Sequence, residues 1–328
     1  MAKLLFSADW HIRLGQKNVP RDWQTKRFHM LVDELNAIFK REQCDKHIIG
    51  GDILDRFAPS TEESELYYEL VAALEHPTEI YTGNHEMISK TKSVLQHMTK
   101  ETSRCNPLVK VLSSIRGVDY DIIDFAELHA KKWAERKSDI CFTHVRGAIP
   151  PHVVPEIDLD TFKGYKLVVT GDLHSHVCCQ ESPSGIPFIY PGSPLATSFH
   201  RERKVGTHGV LIVDTDTLEY KWIDLGHLPQ LIRKTIDAGE ELVEEDYDRV
   251  VYEVVGDLDD LKQVVDSDLL DKRIHRNVGE KATLELTSDL GVAQELSLYL
   301  EQVEKLDVDK VAEATSLFKE LVNESNYK

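Results

Sequence analysis

An α/β fold is predicted for most of the chain, followed by a small α+β unit and C-terminal helices. Two observations carry this prediction. Over about the first two thirds of the sequence, short β-type runs alternate with helical stretches. Near residue 230 the texture changes to acidic loops, isolated strands and long amphipathic stretches. A third observation bears on function: one strand after another is followed at once by Asp, Asn or His.

Lys3–Ser7 reads as a buried strand and Asp22–Gln43 as a helix, because Phe28, Leu31, Val32, Leu35, Ile38 and Phe39 recur at helical spacing on one face. Further strands are predicted at Lys46–Ile49, Thr78–Tyr81, Asp139–Phe142, Lys166–Val169, Ile186–Tyr190 and Gly209–Asp214. Thr61–Glu75 reads as a helix capped near Ser60, with Glu62 and Glu63 in its first turn. The acidic stretch 239–246 reads as a solvated linker. After it come a strand at Arg249–Val255, a helix at Leu258–Val265 and a strand at Ala282–Leu286. Gly291–Lys328 is helical in character, with Leu296, Leu300, Val303 and Leu306 in one stripe and Val311, Ala314, Phe318, Leu321 and Val322 in another. Such faces need cover, either from their own domain or from a partner. The expected domains are 1–230, 231–290 and 291–328.

The 328 residues amount to 37.4 kDa, which suits one large domain with a smaller appendage. Hydrophobic residues at 41% and charged residues at 29% describe a folded, soluble chain rather than a disordered one. Apolar runs such as Val210–Val213 are far too short for a membrane span, and the N-terminus is too short in apolar residues for a signal peptide. Cys44, Cys105, Cys141, Cys178 and Cys179 form no C-x-x-C pair, which fits reduced thiols and a cytoplasmic location without membrane contact. The net charge of −18 is uneven: residues 231–328 hold 12 Lys+Arg against 25 Asp+Glu, a balance of −13. That leaves −5 for the first 230 residues, so the acidic total excludes nucleic acid as a ligand less firmly for the N-terminal part.

The informative residues follow strands. The first strand ends in Asp9-Trp-His11, the second in Gly-Asp52-Ile-Leu-Asp55 and the third in Gly-Asn84-His85-Glu86. The fourth ends in Thr-His144 and the fifth in Gly-Asp172-Leu-His174-Ser-His176. In an α/β sheet ligands bind at the carboxyl ends of strands, so these side chains are expected to converge. Asp and His mixed with one Asn suit Mn²⁺, Fe²⁺ or Zn²⁺ better than Mg²⁺. About seven ligands are too many for one ion and suit two ions bridged by a carboxylate, the arrangement used in phosphoester displacement.

The ordered set Asp-x-His, Gly-Asp-x-x-Asp, Gly-Asn-His-Glu, isolated His and Gly-x-x-His resembles the calcineurin-like metallophosphoesterases. Within that superfamily, Tyr190-Pro-Gly-Ser-Pro-Leu-Ala-Thr-Ser-Phe199, His144-Val-Arg-Gly and the order of domains are similar to SbcD-type nuclease subunits of DNA recombination and repair. The likeness spans the chain but is sharp only up to about Phe199, and the length would suit a bacteriophage version. It implies a layered α-β-β-α sandwich with a capping domain. There is one departure: the family usually carries Gly-His-x-His at its last motif, and this chain has Asp172 in place of the first His. Asp is a competent ligand for the same metals. Alternatively, His174 and His176 form the His-x-His pair in a register shifted by two.

The resemblance implies that Asp9, His11 and His174 bind one metal and Asn84, His144 and Asp172 the other, with Asp52 bridging. The ions are two divalent cations, Mn²⁺ first and Mg²⁺ second, and hydroxide generated there attacks phosphorus in line. His85 is the catalytic residue, stabilising charge or protonating the leaving oxygen. Asp55 and Glu86 either orient imidazoles or act as a helix cap and a loop acid. The loop after the first motif holds Arg13, Lys17, Arg21, Lys26 and Arg27 with Trp10 and Trp23 interleaved; Arg146 and Arg201, Arg203, Lys204 follow other motif loops. Of these, Arg13, Lys17, Arg21 and Arg146 are the candidate DNA contacts, and the tryptophans are candidates for stacking on bases. The resemblance further implies exonuclease and endonuclease activity, an SbcC-type coiled-coil ATPase partner docked on the C-terminal helices, and a homodimer. The alternatives are a small-molecule phosphodiesterase of the same superfamily and a scaffold for DNA ends with a weakened site.

Overall fold

The structure, a computed structural model, describes residues 2–276 and 292–325, with side chains to residue 319. In chain order the strands of the first part are β1 (Lys3–Ser7), β2 (Lys46–Gly50), β3 (Thr78–Tyr81), β4 (Met87–Ser89), β5 (Lys92–Ser93), β6 (Val109–Val111), β7 (Ile115–Arg116), β8 (Asp121–Ile123) and β9 (Ile140–His144). They continue with β10 (Leu167–Gly171), β11 (Gln180–Glu181), β12 (Pro187–Ile189), β13 (Gly209–Asp214) and β14 (Tyr220–Asp224), and end with β15 (Leu231–Asp237), β16 (Arg249–Gly256) and β17 (Leu270–His275). The helices are α1 (Arg21–Glu42), α2 (Thr61–Ala73), α3 (Val94–Cys105), α4 (Phe125–Leu128), α5 (Leu258–Leu261), α6 (Val292–Gln302) and α7 (Val308–Ser325).

One six-stranded sheet runs β14-β13-β1-β2-β3-β6 and the other β11-β12-β10-β9-β8-β7. In the first, β1, β2, β3 and β6 are parallel; in the second, β12, β10, β9 and β8 are. The period-two alternation of each strand builds the layers. In β1, Leu4 and Phe6 face the second sheet, where they meet Ile122, Phe142 and Val169, while Leu5 faces the helices. Phe28, Leu31 and Leu35 of α1 and Leu66 and Leu70 of α2 cover that outer face. On the far side, Cys141, Val168 and Phe188 are covered by Leu128 of α4 and by Leu159, Phe162 and Tyr165. The fourth layer is therefore one short helix, a 3-10 turn and loops.

The strands expected up to residue 255 and the helices beginning near Asp22 and at Thr61 are present; Lys3–Ser7, Thr78–Tyr81 and Gly209–Asp214 match at both ends, and no other end is shifted by more than two residues. Ser60 caps α2 in a full capping box with Glu63. The helix expected over Leu258–Val265 stops at Leu261, and Ala282–Leu286 lies outside the described residues.

The chain divides into two compact units. The first is Met1–Ile236 with Glu240–Val254 and Val265–Lys272; the second is Asp237–Gly239, Val255–Val264 and Arg273–Lys328. In the second unit α6 and α7 pack on each other, with Ser297 Oγ 2.9 Å from Thr315 Oγ1. Leu296, Leu300, Val311, Ala314 and Phe318 are half-buried along that seam, whereas Val303 and Leu306 are exposed. Among the described residues, no helix is long and apolar enough to cross a membrane.

Candidate metal centre

The parallel strands of the two sheets deliver the motif residues to one end of the sandwich. Just past β1 and β2 the backbones stay paired: Asp9 N–H donates to Gly51 O (3.1 Å), His11 to Asp52 O (2.9 Å) and Ile12 to Ile53 O (2.9 Å). Asp9, His11, Asp52 and Asp172 all adopt left-handed backbone, with φ of 59°, 50°, 51° and 85°. Asp and His tolerate that region better than most residues, and such strain gathers where a site imposes it. Gly83 has no room for a side chain, since a Cβ there would lie 2.3 Å from Asp52 Oδ1.

All seven sequence-predicted donors come together. His11 Nε2 lies 3.0 Å from His174 Nε2, and His174 Nε2 lies 3.9 Å from Asp9 Oδ1. His144 Nε2 is 3.3 Å from Asp52 Oδ2 and 3.9 Å from both Asp9 Oδ1 and Asp172 Oδ1. One polar atom of the Asn84 carboxamide lies 3.0 Å from His144 Nε2, 3.0 Å from Asp52 Oδ2 and 3.3 Å from Asp172 Oδ1. Asp52 Oδ2 also lies 3.8 Å from His11 Nε2 and 3.9 Å from His85 Nε2. Asp9–His11–His174, His11–Asp52–His85 and Asp9–Asp52–His144 are each close enough to share an ion.

Carbonyl partners fix two of the rings. His144 Nδ1 donates to Gly50 O (2.8 Å) and His85 Nδ1 to Asp55 O (2.6 Å), which turns each Nε2 toward the site, while His174 Nδ1 lies 3.3 Å from the Thr197 hydroxyl. Asp9, Asp52 and His144 are fully buried. Burial pushes the Asp9 carboxyl up to about 6 against the pull of His144. Burial works against ionising Asp52, but the imidazoles of His144, His11 and His85 together outweigh it and hold that carboxyl below its usual range. Burial opposes charge on His144 too, yet Asp52 and Asp9 raise its imidazole well above normal. Burial and the neighbouring His11 lower His174 to about 4. Buried carboxylates beside imidazole nitrogens and an amide are a donor set that divalent cations fit.

Asp55 touches an imidazole: its Oδ1 lies 3.5 Å from His11 Nδ1. Glu86 touches none. Fully buried, it accepts the backbone N–H of Gly83 (2.9 Å), Asp52 (3.1 Å) and Leu54 (2.9 Å), which clamps two motif loops together. His176 donates through Nδ1 to Tyr190 O (2.7 Å) and stacks on Trp222, whereas His174 turns its Nε2 toward His11 and Asp9.

The basic residues divide. Trp10 and Arg27 are buried and out of reach of any base or phosphate; Trp10 donates to Ser7 Oγ, and Arg27 to the carbonyls of Pro229 and Ala196. Trp23 is half-buried and donates to Tyr247 O. Arg201 pairs with Glu253, and Arg203 with Asp248 and three carbonyls, so both brace the β15–β16 region. Arg13 faces Asp55, Lys17 faces Asp271 and Arg21 pairs with Glu62. Arg146 grips Asp172 with two bonds, a contact that sequence spacing does not reveal. Thr197 and the Gly50 carbonyl were likewise hidden, because a backbone acceptor or a distant hydroxyl carries no motif.

A double-sheet sandwich gathering Asp, His and Asn at its strand ends is the build of a metal-dependent phosphoesterase. The chain belongs to the calcineurin-like phosphoesterase family, whose model matches residues 2–176, the span holding all seven donors and His85. It is 52% identical over 316 residues to the probable exonuclease subunit 1 of Escherichia phage T5, covering 94% of this chain and 96% of that one. It is 35% identical over 88 residues to the SbcD nuclease subunit of Bacillus subtilis (strain 168), covering 26% of this chain and 22% of that one. A solved archaeal phosphodiesterase aligns over 68% of this chain and 99% of its own at 15% identity and a TM-score of 0.38.

Proposed function

We propose that the protein is the nuclease subunit of a DNA recombination and repair complex, hydrolysing DNA phosphodiesters with two divalent cations. The observation that carries this reading is the convergence of Asp9, His11, Asp52, Asn84, His144, Asp172 and His174 on one point, in a chain 52% identical along nearly its whole length to a probable exonuclease subunit. In the proposed arrangement Asp9, His11 and His174 hold one cation, Asn84, His144 and Asp172 the other, and Asp52 reaches both. When bound, the pair supplies an activated water and offsets charge at phosphorus. Mn²⁺ is the preferred ion, because the imidazole nitrogens suit it better than Mg²⁺.

His85 is the proposed proton carrier. Its side chain is 39% exposed, its Nδ1 is fixed on Asp55 O, and its Nε2 lies 3.9 Å from Asp52 Oδ2. These contacts support reading Nε2 as the nitrogen that gives a proton to the leaving oxygen. Of the four candidates, Arg146 is paired with Asp172, and Arg13, Lys17 and Arg21 are the proposed phosphate contacts: their side chains are 43%, 75% and 63% exposed. Each faces a single acid, an exposed pair that a phosphate displaces at small cost. The ATPase partner on α6 and α7, homodimerisation, a cytoplasmic location and the division at 1–230, 231–290 and 291–328 belong to the same proposal.

The test is cleavage of end-labelled duplex and single-stranded DNA with Mn²⁺. His85→Ala is expected to lower the rate by about 10²–10⁴-fold while retaining bound Mn²⁺, and Asp52→Ala to lose both. A wild-type protein inert on DNA, even with an ATPase partner, but active on a bis-phenyl phosphodiester would instead make it a small-molecule phosphodiesterase. Inertness on both substrates would leave a scaffold for DNA ends.

A further inference from the structure

Arg146 follows His144 by two residues, and its guanidinium meets Asp172 side-on. Nε donates to Oδ2 at 2.7 Å and Nη2 to Oδ1 at 2.9 Å. This is the strongest pairing that the two groups can form, and it fixes the plane of the carboxylate as well as its charge. The rest of Asp172 is equally constrained. Its backbone is left-handed at φ 85°, its N–H donates to both oxygens of Asp9 (3.0 and 3.2 Å), and its side chain is 4% exposed. Arg146 is anchored in turn, with its own N–H on Glu156 Oε1 at 3.0 Å.

Each carboxylate oxygen has two acceptor positions. The fork takes one on each, and the other position on Oδ1 is left facing the Asn84 amide at 3.3 Å and His144 Nε2 at 3.9 Å. Asp172 can therefore hold a cation and remain paired with Arg146. The charge count follows. Asp9, Asp52 and Asp172 bring three carboxylates to one buried spot, and Arg146 cancels one of them at contact distance.

We propose that Arg146 is a positioning residue for the second cation: it orients Asp172 and cancels its charge, so that Asp172 and Arg146 together present the cation with what one neutral donor would. The inference rests on Asp172 being a ligand, as in the function proposed above. It has a consequence that neither residue has alone. A neutral imidazole at position 172 would leave the guanidinium unpaired beside a cation, whereas removing the guanidinium would leave an uncompensated carboxylate that draws a cation in.

The experiment is Mn²⁺ titration of the full chain, followed by calorimetry and by the electron paramagnetic resonance signal of free Mn²⁺, with circular dichroism as the check of folding. Four variants are compared with the wild type: Arg146→Gln, Asp172→His, the double variant carrying both, and Asp52→Ala. Arg146→Gln is expected to bind the second Mn²⁺ about tenfold more tightly, the effect of removing a unit positive charge at this range. Asp172→His alone is expected to keep one Mn²⁺ and lose the second, and the double variant to regain it. A merely structural arginine would weaken Mn²⁺ binding in Arg146→Gln and add its loss to that of Asp172→His. Either result would overturn the proposal, as would two ions held by Asp172→His as tightly as by the wild type. Asp52→Ala separates the two readings. If it loses Mn²⁺ while the variants at 146 and 172 change nothing, only the role of Arg146 falls. If it binds Mn²⁺ like the wild type, the metal centre falls with it.

Discussion

The Glu86 carboxylate, with no exposed surface, accepts three backbone N–H bonds from Gly83, Asp52 and Leu54. Two of its donors belong to the loop that carries Asp52, and the third precedes Asn84. A carboxylate can satisfy all three because it is acceptor-only, whereas a carboxamide of the same shape turns an NH₂ toward at least one of those donors. Glu86→Gln is therefore expected to cost about 1–3 kcal/mol in urea unfolding without metal, the cost of a buried group left unpaired. A variant as stable as the wild type would show the clamp to be dispensable. The sequence placed Glu86 beside a predicted ligand but left its role open between orienting an imidazole and serving as a loop acid. Only the fold shows that its partners are N–H groups on two loops, one of them from residues 32 to 34 positions earlier in the chain.

The strand ends and helix caps set where the loops begin. β1, β2 and β10 are each followed within a few residues by a left-handed Asp, and the hydrogen bonds from Asp9 to Gly51 and from His11 to Asp52 continue the β1–β2 pairing past the sheet. The motif loops are thus extensions of strands, which is why residue order predicted their convergence. At α2, Ser60 Oγ accepts from Glu63 N–H (3.1 Å), and Glu63 accepts from Ser60 N–H (2.8 Å) and, across the fold, from Leu14 N–H (3.0 Å). Ser60→Ala is expected to lower stability by about 1 kcal/mol, read as a shift in the urea midpoint with an unchanged slope. No change would mean that the cap is made good by water. α3 went unread in the sequence because it buries only Leu95, Met98 and Thr102, too narrow a stripe to stand out. The pair Ser93 and Gln96, a second capping box, was the signal that would have marked it. The helix expected at Leu258–Val265 failed for the opposite reason: Leu261 is the only buried residue of its one turn, so little packing holds a longer helix.

Across the whole molecule, all seven donors lie in the first compact unit, where the buried carboxylates of Asp9 and Asp52 stand close together. Cations that bind the folded centre and not the unfolded chain should therefore stabilise it. Mn²⁺ at about a hundred times its dissociation constant is expected to add about 2.7 kcal/mol per site, seen as a higher melting temperature than in EDTA. Asp52→Ala should abolish the difference, and a melting temperature indifferent to Mn²⁺ would mean that these donors do not bind it. The sequence by itself determined the alternation of strands and helices, the candidate donors and their order of appearance, because strand periodicity and the residue after each strand are local and survive without a fold. The tertiary structure decided what depends on distance: that His174 and not His176 turns inward, that Trp10 and Arg27 are buried, that Arg201 and Arg203 are taken by acids far along the chain, and that Arg146 grips Asp172. A long charged side chain is paired with whatever the fold brings beside it, and neither its type nor its position in the chain says what that will be.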